Sequence, residues 1–264
     1  SGMVFSVAPG FHGWNDTKEK GYALHQMSAY DRDAYLCESA DLGTLWFSDE
    51  KMLESLGTGI TGQILNMPSS VTLPSLNVTA GWFRFAQEGF TLNVTGDLTI
   101  SGKTACYEVG GVTPTNRTFY TELYGKVPAH LNVGGSLTVL NQGRLDVRSA
   151  DTNETVSLYG AFVNVTGEMK VDDGGVVYVW ADSVGGSVPR FDVGLLTVAE
   201  GGLLSANCRG YAGGHAYSAS PIQHANGYGP GAGVSRSHTY IPKGSQELFS
   251  YVACGAGHGG LGGW

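Results

Sequence analysis

A short unit recurs in this chain with its phase intact. An aliphatic residue or Phe is followed by Asn or Asp, then Val, then glycine within two residues, then a second alternating stretch. The unit reads LNVTGDLTI at 92–100, LNVGGSLTV at 131–139, VNVTGEMKV at 163–171 and FDVGLLTV at 191–198, with an echo, LNVT, at 76–79. Recurrence of this kind means stacked supersecondary units rather than one closed globule. Within a unit the period is two. Leu92, Val94, Leu98 and Ile100 therefore share one face, and Asn93, Thr95 and Thr99 the other.

In two units a further strand follows a turn. Arg144-Leu145-Asp146-Val147 comes after Asn141-Gln142-Gly143, and Val176-Val177-Tyr178-Val179 after Asp172-Asp173-Gly174-Gly175. Glycine is expected to supply the positive φ that such turns need. Successive units start about 39, 32 and 28 residues apart, a spacing in the range of solenoid repeats. Constant strands with unequal spacers predict regular turns of a coil with loops leaving one corner. The unit at 191–198 lacks one residue after Gly194, which a β-bulge or a tighter corner absorbs. The expected fold is all-β: a right-handed parallel β-helix (solenoid) with an irregular N-terminal cap and a glycine-rich C-terminal segment. A stacked β-sandwich is the competing architecture, because short strands and turn signals suit both. The inward positions Val94, Val133, Val165 and Val193 are expected to form one ladder.

Three regions follow. Residues 1–75 break the repeat and hold an aromatic and acidic mixture, the expected cap or small subdomain, because a solenoid needs its end covered. Residues 76–205 are the repeat body. Residues 206–264 are glycine-rich but punctuated by Tyr217, Ile222, Tyr228, Tyr240, Phe249 and Tyr251, unlike a flexible Gly/Ser linker. They read as ordered loops that continue the solenoid, with glycines where backbones approach closely.

The chain has 264 residues, of which 42% are apolar and 14% charged, enough for a sizeable core in one elongated domain. No apolar run approaches the roughly 18 residues of a membrane span. The net charge of −8 comes without any Lys/Arg cluster, which argues against nucleic acid and anionic membrane surfaces as partners. No signal peptide is visible at Ser1-Gly2-Met3, and the chain stops inside a glycine run at Gly262-Gly263-Trp264. The expectation is a piece of a longer polypeptide or a mature product.

Asn-x-Thr occurs at Asn15, Asn77, Asn93, Asn116, Asn153 and Asn164, the acceptor pattern for N-glycans on a secreted protein. The alternation turns Asn77, Asn93 and Asn164 outward. Three of the six are copies of one NVT, so repetition of a good outward pair also accounts for them. Cys37, Cys106, Cys208 and Cys254 are widely spaced and form no CxxC, which argues against a zinc ribbon or redox dithiol. An even count in an extracellular chain points to disulfides. Cys208–Cys254 with Cys37–Cys106 is the preferred pairing, since each closes one end, although all three pairings remain open.

The segments Gly227-Tyr228-Gly229-Pro230-Gly231-Ala232-Gly233 and Gly255-Ala256-Gly257-His258-Gly259-Gly260-Leu261-Gly262-Gly263, placed after β-helix-like repeats, resemble glycine-rich parts of large secreted repeat proteins of the adhesin or surface-filament type. The resemblance covers about the last 60 residues and the general repeat style. It implies an extracellular structural role and brings no catalytic residue.

The chemistry-bearing patterns are sparse. The G-x-G-x-x-G at 255–260 is followed by Leu261-Gly262-Gly263, which cannot start the helix that a dinucleotide site requires. His215, His224, His238 and His258 lack metal-ligand spacing. Asp172-Asp173 reads as a turn, and Asp97, Asp146 and Glu168 do not recur at one position. Asp31, Asp33, Glu38 and Asp41 lack a calcium-loop pattern. There is no G-x-S-x-G and no H-E-x-x-H. No catalytic residue, metal site or cofactor is assigned. The expected function is a non-catalytic extracellular structural or adhesive glycoprotein module, a subunit or fragment of a surface filament or matrix. Its partners would be itself or neighbouring repeats of a longer chain, its own N-glycans and polysaccharide. The alternatives are a β-helix carbohydrate-active enzyme, marked by a groove with converging acids and a Lys or Arg, and a carbohydrate-binding module, marked by an exposed aromatic strip near Trp82 or Trp180.

Overall fold

The computed structural model describes residues 5–6, 42–47, 51, 53, 56–65, 68–110, 126–152, 157–182, 185–207, 209–210, 236–240 and 248–252. These residues are nearly all β, and no α-helix occurs among them. Two large sheets carry the chain. The first is built from β1 (Phe5–Ser6), β2 (Thr44–Trp46), β3 (Ile60–Leu65), β6 (Trp82–Phe85), β9 (Cys106–Val109), β12 (Arg144–Arg148), β14 (Val176–Trp180) and β16 (Leu203–Ser205). The second holds β4 (Ser70–Leu73), β5 (Leu76–Val78), β7 (Thr91–Val94), β8 (Leu98–Ser101), β10 (Ala129–Val133), β11 (Leu137–Leu140), β13 (Tyr159–Val171) and β15 (Val188–Val198). Every pairing in both sheets is parallel. A separate antiparallel pair joins β17 (Arg236–Tyr240) and β18 (Leu248–Val252).

The register brings equivalent repeat positions side by side. Val94, Val133, Val165 and Val193 form the expected ladder, extended at its start by Leu73. Beside it run Val71, Leu92, Leu131, Val163 and Phe191, then Leu76, Leu98, Leu137, Met169 and Leu196, then Val78, Ile100, Val139, Val171 and Val198. The first sheet contributes Phe83, Tyr107, Leu145, Val177 and Leu204. Apart from the members on β15 and β16 and the half-buried Leu73, these side chains are buried and make one core. A parallel pair cannot be closed by a two-residue hairpin, so each return passes through the other sheet and the turns between them. The pairing extends ahead of residue 76, since β3 and β4 are already aligned with the repeat strands.

The missing residue after Gly194 falls where a bulge was expected. The register of β13 against β15 shifts between Val165 and Glu168, so two residues of β13 face the single Gly194. The turn glycines have a different reason from the expected one at several sites. Gly174 does take a positive φ of 69°. In the turn at 141–143, however, Asn141 and Gln142 hold the left-handed conformation. Gly143 is required there by space, since a Cβ would sit 2.4 Å from the carbonyl oxygen of Ile100. Space also explains the repeat glycine. Gly96, Gly135 and Gly167 stack at one corner, Gly135 N–H donating to Gly96 O and Gly167 N–H to Gly135 O, both at 2.9 Å. A Cβ on Gly135 would meet the Gly96 backbone at 2.9 Å.

Two expectations follow for purified protein. Val165→Asp places an unpaired charge inside the central ladder and costs about 4 kcal/mol or more. A wild-type melting curve for this variant would disprove the inward register. Gly135→Ala lowers stability by about 1–3 kcal/mol in denaturant titration, because the corner backbones must part.

Candidate functional site

The outward face of the first sheet carries the densest chemistry. Stacking in register places Gln63, Arg84, Glu108, Asp146 and Tyr178 in one row, with Trp82, Cys106, Arg144 and Val176 in the row beside it. Outward charged residues of a sheet are ordinarily solvated, yet Arg84 and Glu108 are each 1% exposed and Asp146 is fully buried. Burial is tolerated because the groups satisfy one another. Arg84 Nη1 donates to Glu108 Oε2 at 3.1 Å, and Arg84 Nη2 to Gln63 Oε1 at 2.9 Å. Gln63 Nε2 passes the chain on to Thr44 Oγ1 at 2.8 Å. Trp82 Nε1 donates to the other Glu108 oxygen at 2.8 Å. Arg144 grips Asp146 with two nitrogens, Nε at 2.8 Å and Nη2. Arg148 lies between the carboxylates, 3.6 Å from Glu108 and 4.0 Å from Asp146.

The electrostatics split the two acids. Burial by itself raises the Glu108 carboxyl, but Arg148, Arg84 and Arg144 and the Trp82 N–H outweigh it, and the group lies below the ordinary Glu range. Asp146 goes the other way: burial raises it, and the Arg144 hydrogen bond offsets this only in part. Burial likewise pushes the Cys106 thiol well up, so it is a poor nucleophile.

Aromatic rings interleave with the guanidinium groups. Arg144 lies 5.7 Å from the Trp82 ring centroid and 5.3 Å from that of Tyr178. Arg209 sits 3.7 Å over Tyr178 and 4.4 Å over Trp180, and Arg148 lies 4.3 Å over Trp180. Each such contact contributes about 0.5–2 kcal/mol, more when water is excluded. Trp82 and Trp180 are half-buried in this pile, so neither stands out as an open platform for a sugar ring.

The second sheet bears a different outward row: Thr72, Asn93, Asn132, Asn164 and Asp192. Asn132 Nδ2 donates to Asn93 Oδ1 at 2.9 Å, and Asn164 Nδ2 to Asn132 Oδ1 at 2.8 Å. This amide ladder, with Thr95 and Thr166, lines a shallow groove of about 250 Å³. Asn132 is followed by Val133-Gly134, so the middle rung of the ladder carries no glycan acceptor pattern.

The predicted site residues fall out as follows. Asn77 is exposed on β5, whereas Asn93 and Asn164 are half-buried and engaged in the ladder. Asn15, Asn116 and Asn153 lie outside the described residues, as do Cys37, Cys208 and Cys254. Cys106 is a buried free thiol on β9. Asp172-Asp173 forms the expected turn, with Lys170 paired to Asp172 at 2.6 Å. Asp31, Asp33, Glu38 and Asp41 lie outside the described residues. Among the described residues, no three His, Cys, Asp or Glu side chains gather to hold a metal ion, and no helix is long and apolar enough to cross a membrane. Sequence reasoning missed the acid–arginine row. Its signal was present: Arg84, Glu108 and Asp146 each stand between two inward apolar residues at the third position of a strand. No protein-family model, no curated protein and no solved structure matches this chain.

Replacing Glu108 by Gln leaves Arg84 and Arg148 short of a buried counter-charge, and the expected loss at pH 7 is about 3–5 kcal/mol. Because the folded Glu108 carboxyl lies below its unfolded value, its contribution is complete above the unfolded Glu range and is lost as pH falls through the folded value. The stability gap between wild type and Glu108→Gln should therefore narrow on acidification below about pH 4. A gap that stays constant down to the acid transition would contradict the assignment.

Proposed function

We propose that this chain is a non-catalytic, extracellular structural or adhesive module, folded as a right-handed parallel β-helix whose turns stack on neighbouring repeats or copies. The observation that carries the reading is the enclosure of the acid–arginine row. Among the described residues, Glu108 and Asp146 are the two acids that lie side by side among several arginines, and both are shut away from solvent and pinned by them. A glycosidase or lyase needs its carboxylates, or a base, facing the sugar. Here the same groups serve as glue across the strands. The parallel pairing throughout both sheets supports the β-helix, and repetition with only a shallow groove among the described residues supports a load-carrying or spacing role. The outward amides and the exposed Asn77 support a glycosylated flank on a secreted chain, and the resemblance of the glycine-rich segment to adhesin-type repeat proteins agrees with it.

The second reading, a carbohydrate-active β-helix enzyme, is favoured by one feature. Two carboxylates on adjacent strands lie beside three arginines, Trp82, Tyr178 and Trp180. The two readings part on Glu108→Gln. In a structural module this change costs stability and alters no turnover. In an enzyme it abolishes cleavage of the polysaccharide that the wild type degrades.

Glycopeptide mapping of naturally sourced protein tests the extracellular assignment. Glycans are expected at Asn77 first, because its amide is open, and then at Asn93 and Asn164. Bare asparagines at all three, together with cleavage activity in a polysaccharide screen, would overturn the proposal in favour of the enzyme.

A further inference from the structure

The two ends of the parallel stack are finished differently. At the start, Ile60, Ile64, Val71, Leu76 and Val78 are buried, and β3 has β1 and β2 against it. At the finish, the positions that are inward everywhere else lie open: Leu196 and Val198 are each 46% exposed and Leu204 is 38% exposed. With Val188, Leu195 and Leu203, this last turn holds six of the nine exposed large apolar residues among those described. Its strands are also edges, since among the described residues β15 pairs only with β13 and β16 only with β14. Bare edges over an open core are a template for another strand layer.

We infer that a second copy of this chain covers the open end, turn to turn, in a two-fold symmetric antiparallel dimer. The inference rests on the reading of the chain as a coil with stackable ends and names which end pairs and with what. Three observations select this occupant. Among the described residues, the start strands of another copy expose only Trp46 as a large apolar side chain, whereas a second open end presents six. The described strands of the chain's own C-terminal segment, β17 and β18, pair with each other and with neither large sheet. Charge then picks the register. A two-fold axis at Phe191 sets Arg190 opposite the partner's Asp192 and Asp192 opposite the partner's Arg190. Moving the axis by one residue, to Asp192, would oppose two carboxylates. Both groups are well exposed, their side chains 49% and 67% accessible and only 3.4 Å apart within the chain, so each is free to re-pair across the axis.

The same axis satisfies the rest of the turn. Flipping a coil about a line through one strand exchanges the other two strands. Leu195–Val198 of β15 then runs antiparallel to the partner's β16, and β16 to the partner's Leu195–Val198. All three edges are closed at the usual strand separation of about 4.8 Å. The interface is isologous, so it stops at two copies. Growth beyond a dimer would need the other end.

The test uses the full chain in sedimentation equilibrium, with Asp192→Arg, Arg190→Asp and their 1:1 mixture. Wild type is expected to be a dimer, each variant alone a monomer, and the mixture a dimer again, because the two changes together restore opposite charges across the axis. Both substitutions lie on exposed positions and should leave strand content and melting of the monomer unchanged. Leu196→Asn is expected to give a monomer that no charge partner rescues. A monomeric wild type, a dimer indifferent to the charge variants, or open-ended growth would each overturn the inference. Electron microscopy of the monomeric form separates the two levels: a rod of stacked turns keeps the coil and sinks only the pairing, whereas a compact sandwich sinks the coil itself.

Discussion

In-register parallel pairing is the constraint on which the rest of this molecule depends. When each strand hydrogen-bonds to its counterpart one repeat away, like positions must stack on like positions, on both faces and at every corner. The valine ladder, the asparagine ladder and the glycine corner are one phenomenon viewed at three positions of the same unit. It also raises the stakes of each substitution. A residue that is tolerable alone must be tolerable against a copy of itself about 4.8 Å above and below. Amides meet this condition well, since each has one donor and one acceptor to pass along the row. Like charges do not, and where Glu108 meets Asp146 in register, arginines stand beside both.

The acid–arginine row shows how the condition is met when ionisable groups are buried. Glu108 and Asp146 stand side by side in register, and Arg84, Arg144 and Arg148 offset their like charges, with Arg148 lying between the two carboxylates. Breaking one partner is costly, although the intact network adds little net stability compared with apolar packing. Such a row ties the register to its arginines: a slipped strand would take Glu108 or Asp146 away from the guanidinium groups that offset their like charges. The cation–aromatic pile of Trp82, Arg144, Tyr178, Arg209, Trp180 and Arg148 spans the same strands and reinforces the alignment.

The proposed function rests on what these rows leave over. The core is filled with side chains, the converging acids are sealed, and the groove of the second sheet is shallow and lined by amides and hydroxyls. Among the described residues, what stays open is the last turn, where Leu196, Val198 and Leu204 end their ladders exposed. The proposed structural role rests on this contrast between enclosed side rows and an exposed last turn among the described residues.

Much of the fold was legible in the sequence, because backbone pairing and period-two alternation act locally and repeat. LNVTGDLTI alone predicts which of its residues face inward, and the bulge at Gly194 was legible as one missing residue. The sequence alone determined that strands would stack, that Val94, Val133 and Val165 would share a ladder, and that a corner glycine would recur. Only the tertiary structure decided which outward residues are outward in fact. Arg84, Glu108 and Asp146 alternate as surface residues do, yet they are buried, because lateral neighbours and partners from distant strands decide exposure. It also decided that the repeat glycine answers to crowding between backbones rather than to φ, and that, among the described residues, the ladders begin buried and end exposed. These are relations between turns far apart in the chain, and no local pattern encodes them.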